Sequence, residues 1–267
     1  MVKSNYHTHS VFSDGENTLE EIAEAALKKG FVALGFSDHS PISFDDSFCM
    51  PYAAYEKYKR NISRLKAVYS GRLDILCGLE LDYYSDGFDT DDLDYTVGSV
   101  HYVKSGGIYY SVDDTPQTGK KGIDEGFGGD ACAYAAAYYK NLCGHMQNNR
   151  VDIVGHFDLV TIFGLVDEEN PVYRRAALEA AEYAAELEIP IEINTGAVFK
   201  HRKKNPYPAD FILKYFCAKG GSVVIDSDAH IAANLDFYFE EACEYLKSSG
   251  FKTAIRFRKD GPETYYL

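Results

Sequence analysis

Paired or clustered cysteines are missing from this sequence of 267 residues. Its six cysteines are scattered along the chain, with no C-x-x-C pair and no dense framework. Such spacing does not support a fold held by disulfides. We therefore expect reduced, mostly buried cysteines that pack as small apolar side chains.

Positive charge is also scarce. The chain has 27 Lys and Arg residues against 41 Asp and Glu residues, and its formal net charge is −14. Duplex nucleic acid and anionic membranes bind basic surfaces, so we expect neither a long nucleic acid nor a membrane as partner. The excess of carboxylates suits cation binding instead.

Long hydrophobic runs are absent as well, since no apolar stretch approaches the roughly 18 residues that a membrane span requires. No internal repeat, low-complexity tract or interdomain linker is found. A single domain covering residues 1–267 is expected, because α/β barrels reach this size as one unit. The first histidine pair stands at positions 7 and 9, which leaves no room for a cleaved signal segment, and we expect a cytoplasmic protein.

The sequence does contain a regular alternation of β-rich runs and amphipathic stretches. Strands are predicted at residues 2–6, 31–36, 73–79, 95–100, 151–155, 189–193 and 222–225. Helices are predicted at residues 18–29, 52–69, 130–147, 172–187, 209–219 and 235–248. The polar, glycine-rich stretch 104–129 is expected to be an insertion that forms a loop or lid.

Local signals support this alternation. Thr18 and Glu21 have the spacing of a capping box, and Gly30 stands where a left-handed residue ends the first helix. Alternating strands and helices imply parallel strands, and continuous apolar strands indicate burial on both faces. A closed barrel and a doubly wound sheet both fit this pattern.

Most of the histidines follow predicted strands. Six of the eight lie at or just beyond a strand: His7, His9, His39, His101, His156 and His230. Glu80 ends the third strand and Asp228 follows the seventh. The carboxyl ends of parallel strands form the functional face of α/β folds, so these distant residues are expected to converge on one site.

Two of these residues form an H-x-H pair. His7 and His9 on an extended strand point to the same face, roughly 6.6 Å apart along the chain, and could chelate one ion. Asp228 and His230 repeat the spacing. His145 and His201 lack the strand-end context, so structural or surface roles are expected for them.

Together these residues form an ordered series of motifs. They are His-Thr-His-Ser at 7–10, Phe-Ser-Asp-His at 36–39, Gly-Leu-Glu at 78–80, Gly-Ser-Val-His at 98–101, Gly-His-Phe-Asp at 155–158, Glu-Ile-Asn-Thr at 192–195 and Ser-Asp-Ala-His at 227–230. The series resembles the polymerase and histidinol phosphatase (PHP) superfamily, in particular its histidinol-phosphatase branch.

The resemblance implies a distorted (β/α)7 TIM-like barrel with two or three divalent metal ions: Zn, Mn or Fe. One ion would bind His7, His9, Glu80 and Asp228, and a second would share Glu80 and add His101 and His156. A third would bind Asp14, His39 and His230. The implied catalytic residues are Asp14, Asp38, His39, Asp228 and His230. Asp38 and Asp158 are expected to orient neighbouring imidazoles.

The resemblance further implies a phosphatase that acts on a small phosphorylated metabolite, L-histidinol phosphate in histidine biosynthesis, through a metal-activated hydroxide. Two alternatives remain: a phosphoesterase for another small ester or a nucleotide, and a degenerate metal-binding regulatory module.

One departure concerns the phosphate. Relatives often carry a basic residue just after Glu-Ile-Asn-Thr, whereas here the basic residues begin at Lys200. Lys200 and Arg202 are the predicted substrate-binding residues, because a guanidinium can donate two parallel hydrogen bonds to phosphate. The alternative is that residues 200–204 form a solvated turn.

Overall fold

The computed structural model describes residues 3–200 and 202–267. Val2, at the start of the first predicted strand, and His201 lie outside the described residues. Within the described part, eight parallel strands form two sheets. One sheet has the order β1 (Lys3–Asn5), β2 (Phe31–Phe36), β3 (Asp74–Cys77). The other has the order β10 (Val223–Asp226), β9 (Ile191–Asn194), β8 (Ile153–Val154), β5 (Val97–Ser99), β4 (Glu80–Asp82).

The two sheets meet at both edges. Beyond β1 and β10, the amide of His9 donates to the carbonyl of Ala229 at 2.9 Å, and the amide of Ala229 donates to the carbonyl of His7 at 3.1 Å. At the other edge, a bridge pairs His39 with Glu80. The architecture is a distorted α/β barrel, as the resemblance implied.

The distortion is located between β3 and β4. The sequence predicts one strand over residues 73–79, but strand pairing stops at Cys77 and resumes at Glu80 with β5 as the new partner. The amide of Gly78 still donates to the carbonyl of Phe36 at 2.8 Å. The chain thus changes sheets over two residues, and this change brings Glu80 to the carboxyl edge.

The predicted helices are present, with ends shifted by a few residues. They are α1 (Leu19–Lys28), α2 (Tyr55–Tyr69), α4 (Ala131–Asn148), α5 (Pro171–Glu186), α7 (Asp210–Ala218) and α8 (Phe239–Ser248). The capping box of α1 is confirmed, because the side chains of Glu21 and Thr18 each accept a hydrogen bond from the backbone amide of the other residue. Gly30, just past the end of the helix, has a φ of 77° and is thus in the left-handed region. No helix among the described residues is both long and apolar enough to span a bilayer.

The insertion 104–129 is more ordered than a loop. It completes a hairpin of β6 (Tyr102–Ser105) and β7 (Ile108–Ser111), followed by α3 (Pro116–Lys121) and a π-helical turn. A further short helix, α6 (Gly196–Phe199), follows β9. Short segments of this kind escape periodicity arguments, because they span too few residues to show a period.

A second hairpin, β11 (Thr253–Arg258) and β12 (Gly261–Tyr266), was not predicted. Its residues Ile255 and Phe257 pack against a core cluster of buried residues from the barrel strands: Tyr6, Ala33, Leu76, Tyr95, Val97, Ile153 and Val224. The backbone of Phe257 exchanges two hydrogen bonds with the Tyr6 hydroxyl, at 2.8 and 2.9 Å. The hairpin therefore covers this cluster.

Tyr95 lies at the centre of that cluster. Its hydroxyl donates to the carbonyl of Tyr6 at 2.6 Å. The ring fits because Gly35 and Gly78 face it, and a Cβ on Gly35 would come within 2.2 Å of the Tyr95 hydroxyl oxygen. The two glycines leave the space that this side chain fills.

Removing the Tyr95 hydroxyl should therefore destabilise the barrel. In Tyr95→Phe the carbonyl of Tyr6 loses a buried donor, so we expect the free energy of unfolding to fall by about 1–3 kcal/mol in urea denaturation. The matched control is Tyr266→Phe, at a residue that is 86% exposed, which should change it by less than about 0.5 kcal/mol. Equal effects of the two substitutions would contradict this account of the core.

Candidate metal centre

All nine predicted metal ligands lie together at the carboxyl ends of the barrel strands. The structure places them in overlapping groups whose ligand atoms are within 4.8 Å of one another. The nine are His7, His9, Asp14, His39, Glu80, His101, His156, Asp228 and His230.

Glu80 is the centre of the cluster. Its side chain is fully buried, and its two carboxylate oxygens face five imidazoles. The nitrogen to oxygen distances are 2.7 Å for His39, 2.9 Å for His156, 3.2 Å for His7, 3.3 Å for His101 and 3.6 Å for His9. One carboxylate thus connects candidate ligands from four other parts of the chain.

The electrostatics of this arrangement favour charge on Glu80. Burial by itself would raise its pKa, but the imidazoles, His39 first, hold the pKa well below its usual value. Burial likewise opposes protonation of His7, yet Glu192, Glu80 and Asp228 outweigh it and raise the pKa of His7. His9 behaves differently: burial and the neighbouring His230 and His39 lower its pKa to about 3. The cluster therefore combines ionised carboxylates with a neutral imidazole, as divalent ions require.

A second carboxylate, Asp14, collects a further group on the cavity side. It lies 3.2 Å from His230, 3.7 Å from His39 and 3.8 Å from His9. Its side chain is one-third exposed, in contrast to Glu80. A cation bound here would be open to the cavity.

Asp228 supplies the third carboxylate. Its Oδ1 lies 3.2 Å from His9 and 3.7 Å from His7. The residue has a φ of 50°, in the left-handed region that aspartate tolerates better than most residues. This backbone conformation at a partly buried carboxylate is typical of a functional site.

The grouping differs in detail from the implied assignment. Asp14, His39 and His230 do form one group, but His9 joins it as well as the group of His7 and Asp228. Glu80 groups with His7 and His156 and, separately, with His39 and His101. Ligands are thus shared between neighbouring groups to a greater degree than spacing alone could indicate.

Two further carboxylates orient the imidazoles. Neither of them was given a role from the sequence. Glu192 accepts from Nδ1 of His7 at 2.6 Å and from the amide of His156 at 2.7 Å. Asp82 accepts from the amide of His101 at 2.9 Å and lies 3.2 Å from its Nδ1. Such bonds fix the tautomer and direct Nε2 towards the centre.

A sequence signal for both residues exists. Glu192 stands between Ile191 and Ile193 in a strand buried along its whole length, where an acidic residue requires a buried partner. Asp82 stands two residues after Glu80 in a strand, so both side chains point to the same face.

Asp38 and Asp158 make contacts other than the imidazole hydrogen bonds expected of them. Oδ1 of Asp38 accepts from Ser10 and Ser13, and Oδ2 accepts from the Ser10 hydroxyl, at 2.7 to 3.1 Å, so Asp38 holds the loop that leads to Asp14. Asp158 accepts from the amide of Ala209 at 3.0 Å. Asp38 is also absent from the cavity wall described below, which does not support its assignment as a catalytic residue.

The centre opens into a cavity of about 350 Å³. Its wall contains the predicted substrate-binding residues Lys200 and Arg202. Burial by itself would raise the pKa of Asp228, but the charges of His7 and then Lys200 hold this pKa well below its usual value. Arg202 lies over the ring of Phe163, with 5.4 Å between guanidinium carbon and ring centroid. The basic segment therefore borders the cavity that contains the ligands.

His145 has the structural role expected of it. It is fully buried on α4, with Nε2 2.7 Å from the carbonyl of Leu81 and Nδ1 2.9 Å from the side-chain amide of Asn149. The corresponding expectation for His201 lies outside the described residues.

Comparisons with known proteins agree with the geometry. The model of the PHP domain family matches residues 5–196. The chain is 30% identical to a probable histidinol-phosphatase of Deinococcus radiodurans, over 98% of this chain and 99% of the relative. It is also 30% identical to a histidinol-phosphatase of Bacillus subtilis, over 91% of this chain and 99% of the relative.

Two solved structures share the fold. A putative histidinol phosphatase from Listeria monocytogenes superposes with a TM-score of 0.76 at 20% identity, covering 90% of this chain and 99% of the other. A histidinol phosphate phosphatase from Lactococcus lactis, complexed with zinc, L-histidinol and phosphate, superposes with a TM-score of 0.74 at 22% identity, covering 98% of each chain. From the match of its motifs, its fold and its relatives, the chain belongs to the PHP domain family.

Proposed function

We propose that this protein is a metal-dependent phosphatase that hydrolyses L-histidinol phosphate. The observation that carries the proposal is the convergence of nine candidate ligands, with Glu80 at their centre, at the edge of a cavity bordered by basic residues. Two full-length relatives named histidinol-phosphatase, at 30% identity, support the choice of substrate. A biosynthetic role in the cytoplasm is part of the same proposal.

The donor set fits divalent metal ions. Several buried atoms that face the centre have no hydrogen-bond partner among the described residues: Nε2 of His7, both ring nitrogens of His9 and Oε2 of Glu80. Unpaired buried polar atoms are costly, and a cation would satisfy them together. Mixed imidazole and carboxylate groups suit zinc, manganese or iron, and we name zinc first because the Lactococcus lactis structure contains it.

Bound ions would supply an activated water and neutralise the phosphoryl oxygens. The protein's own groups divide the remaining tasks. Glu192 and Asp82 hold the imidazoles in one tautomer. Asp38 keeps the loop before Asp14 in place. Lys200 and Arg202 bring positive charge to the cavity wall, where a phosphate dianion would bind.

The direct test of the proposal is a phosphate-release assay over a panel of small monoesters and nucleotides with the zinc-, manganese- and iron-loaded protein. We expect kcat/KM for L-histidinol phosphate to exceed that of the other esters by orders of magnitude. A flat profile, or preference for a nucleotide, would favour a phosphoesterase with another substrate. No hydrolysis by any metal form would favour a regulatory metal-binding module.

Removing the central carboxylate should remove the metal. In Glu80→Ala we expect elemental analysis to find fewer ions per chain, and kcat to fall by at least about 100-fold, since outer-shell residues alone contribute 10- to 100-fold. Glu186→Ala, at an exposed residue of α5, is the control and should keep both. Full metal content in Glu80→Ala would show that the centre lies elsewhere.

The basic segment gives a separate prediction. Arg202→Ala should lower kcat/KM roughly 10- to 100-fold, which corresponds to about 1.5–3 kcal/mol for a charge-assisted contact, and should leave the metal content unchanged. Lys204→Ala, at an exposed residue outside the cavity wall, is the matched control. If both variants keep the wild-type kcat/KM, the segment is a solvated turn and the metals hold the phosphate alone.

A further inference from the structure

The insertion 104–129 places a carboxylate beside the metal centre. The amide of Val112 donates to the carbonyl of the candidate ligand His101 at 2.9 Å, which anchors the chain just after β7. The next residue, Asp113, is half-buried and lines the same cavity as the ligands. The backbone of Asp113 is thus fixed next to the centre.

The carboxylate of Asp113 has no cationic partner within 4.0 Å in residues 3–200 and 202–267. The Ser111 hydroxyl donates a hydrogen bond to the Asp113 carboxylate at 3.4 Å. Arg202 is close, but its guanidinium donates to the backbone carbonyl of Asp113, also at 3.4 Å. The cavity therefore has an anionic wall at Asp113 beside the cationic groups Lys200 and Arg202.

A second, independent feature of this wall is the Tyr207 hydroxyl. Tyr207 is 2% exposed and lines the cavity, and its hydroxyl has no hydrogen-bond partner among the described residues. Asp113 lines the same cavity, and burial is the main cause of the raised pKa of Tyr207, to which Asp158, Tyr138 and Asp113 add. A buried hydroxyl without a partner, on a cavity wall that also carries a carboxylate, indicates a missing polar ligand.

The chemistry of the proposed substrate suits this wall. In L-histidinol phosphate the ammonium is bonded to the carbon adjacent to the one that bears the ester oxygen. When metals hold the phosphoryl group, the ammonium must therefore lie close to the centre rather than at the far end of the cavity. Asp113 follows Val112, whose amide bonds the His101 carbonyl, and lines the cavity into which the centre opens.

We propose that Asp113 and Tyr207 form the subsite that binds the substrate's ammonium group, with the carboxylate as counter-ion and the hydroxyl oxygen as a further acceptor. The inference rests on the proposed function and assigns the insertion a role in selecting phosphate esters that carry an amine. Lys200 and Arg202 would bind the phosphate end of the substrate. The cavity would then offer an opposite charge to both the ammonium and the phosphate.

The test compares L-histidinol phosphate with its des-amino analogue, 3-(imidazol-4-yl)propyl phosphate, on the metal-loaded full chain. Asp113→Asn should lower kcat/KM for L-histidinol phosphate about 10- to 100-fold and change kcat/KM for the analogue by less than about 3-fold, because only the first substrate loses a charged contact. Tyr207→Phe should show the same selectivity with a smaller loss. Asp124→Asn, at an exposed residue of the same insertion, should change neither.

Binding gives a readout that does not depend on turnover. In calorimetric titration, the product L-histidinol should bind Asp113→Asn more weakly than it binds the wild type, whereas 3-(imidazol-4-yl)propanol should bind both equally. Since each variant is assayed with both substrates, the analogue also reports whether it is folded.

The outcomes separate the two proposals. If the wild type does not prefer L-histidinol phosphate in the monoester panel, the proposed function fails. If it does, and Asp113→Asn lowers kcat/KM equally for both substrates or for neither, the ammonium subsite is overturned while the proposed function stands.

Discussion

The contact between one buried carboxylate and five imidazoles is the constraint on which the rest of the molecule depends. Glu80 brings together five side chains from four other segments, at 2.7 to 3.6 Å. Burying ionised groups is costly unless each is paired, and a divalent cation balances the carboxylates. Because the metal would bind the folded cluster and not the unfolded chain, part of the stability of this barrel should come from metal binding.

Irregular backbone segments of the barrel position the side chains around Glu80. The chain changes sheets between Cys77 and Glu80, so a strand that began beside β2 ends with its carboxylate beside β5. Asp228 adopts a left-handed backbone conformation that brings its carboxylate to His9. Asp38 ties down the loop that carries Asp14. These three carboxylates are thus positioned by local structure outside the cluster.

Much of this was predictable because strand ends and motif residues coincide. The seven predicted strands are present, and eight of the nine candidate ligands lie at the strand ends that the alternation indicated. The ninth, Asp14, was implied only by the resemblance. The split of the third strand was not predictable, since residues 73–79 read as one strand and sheet exchange depends on tertiary pairing. Proximity in the sequence was a poor guide to the carboxylates that orient imidazoles: Asp38 is next to His39 in the chain, but Glu192, 185 residues from His7, makes the contact. The ordered insertion and the final hairpin lack the periodicity that a prediction needs.

The hydrogen bonds that join the two sheets beyond β1 and β10 have a consequence for how the protein matures. The amide of Ala229 donates to the carbonyl of His7, and the Phe257 backbone bonds the Tyr6 hydroxyl 251 residues away. During synthesis His7 and His9 leave the ribosome long before Asp228 and His230 are made, and contacts this distant in sequence form slowly. The full set of candidate ligands is therefore assembled only after residue 230 has been added and the barrel has closed.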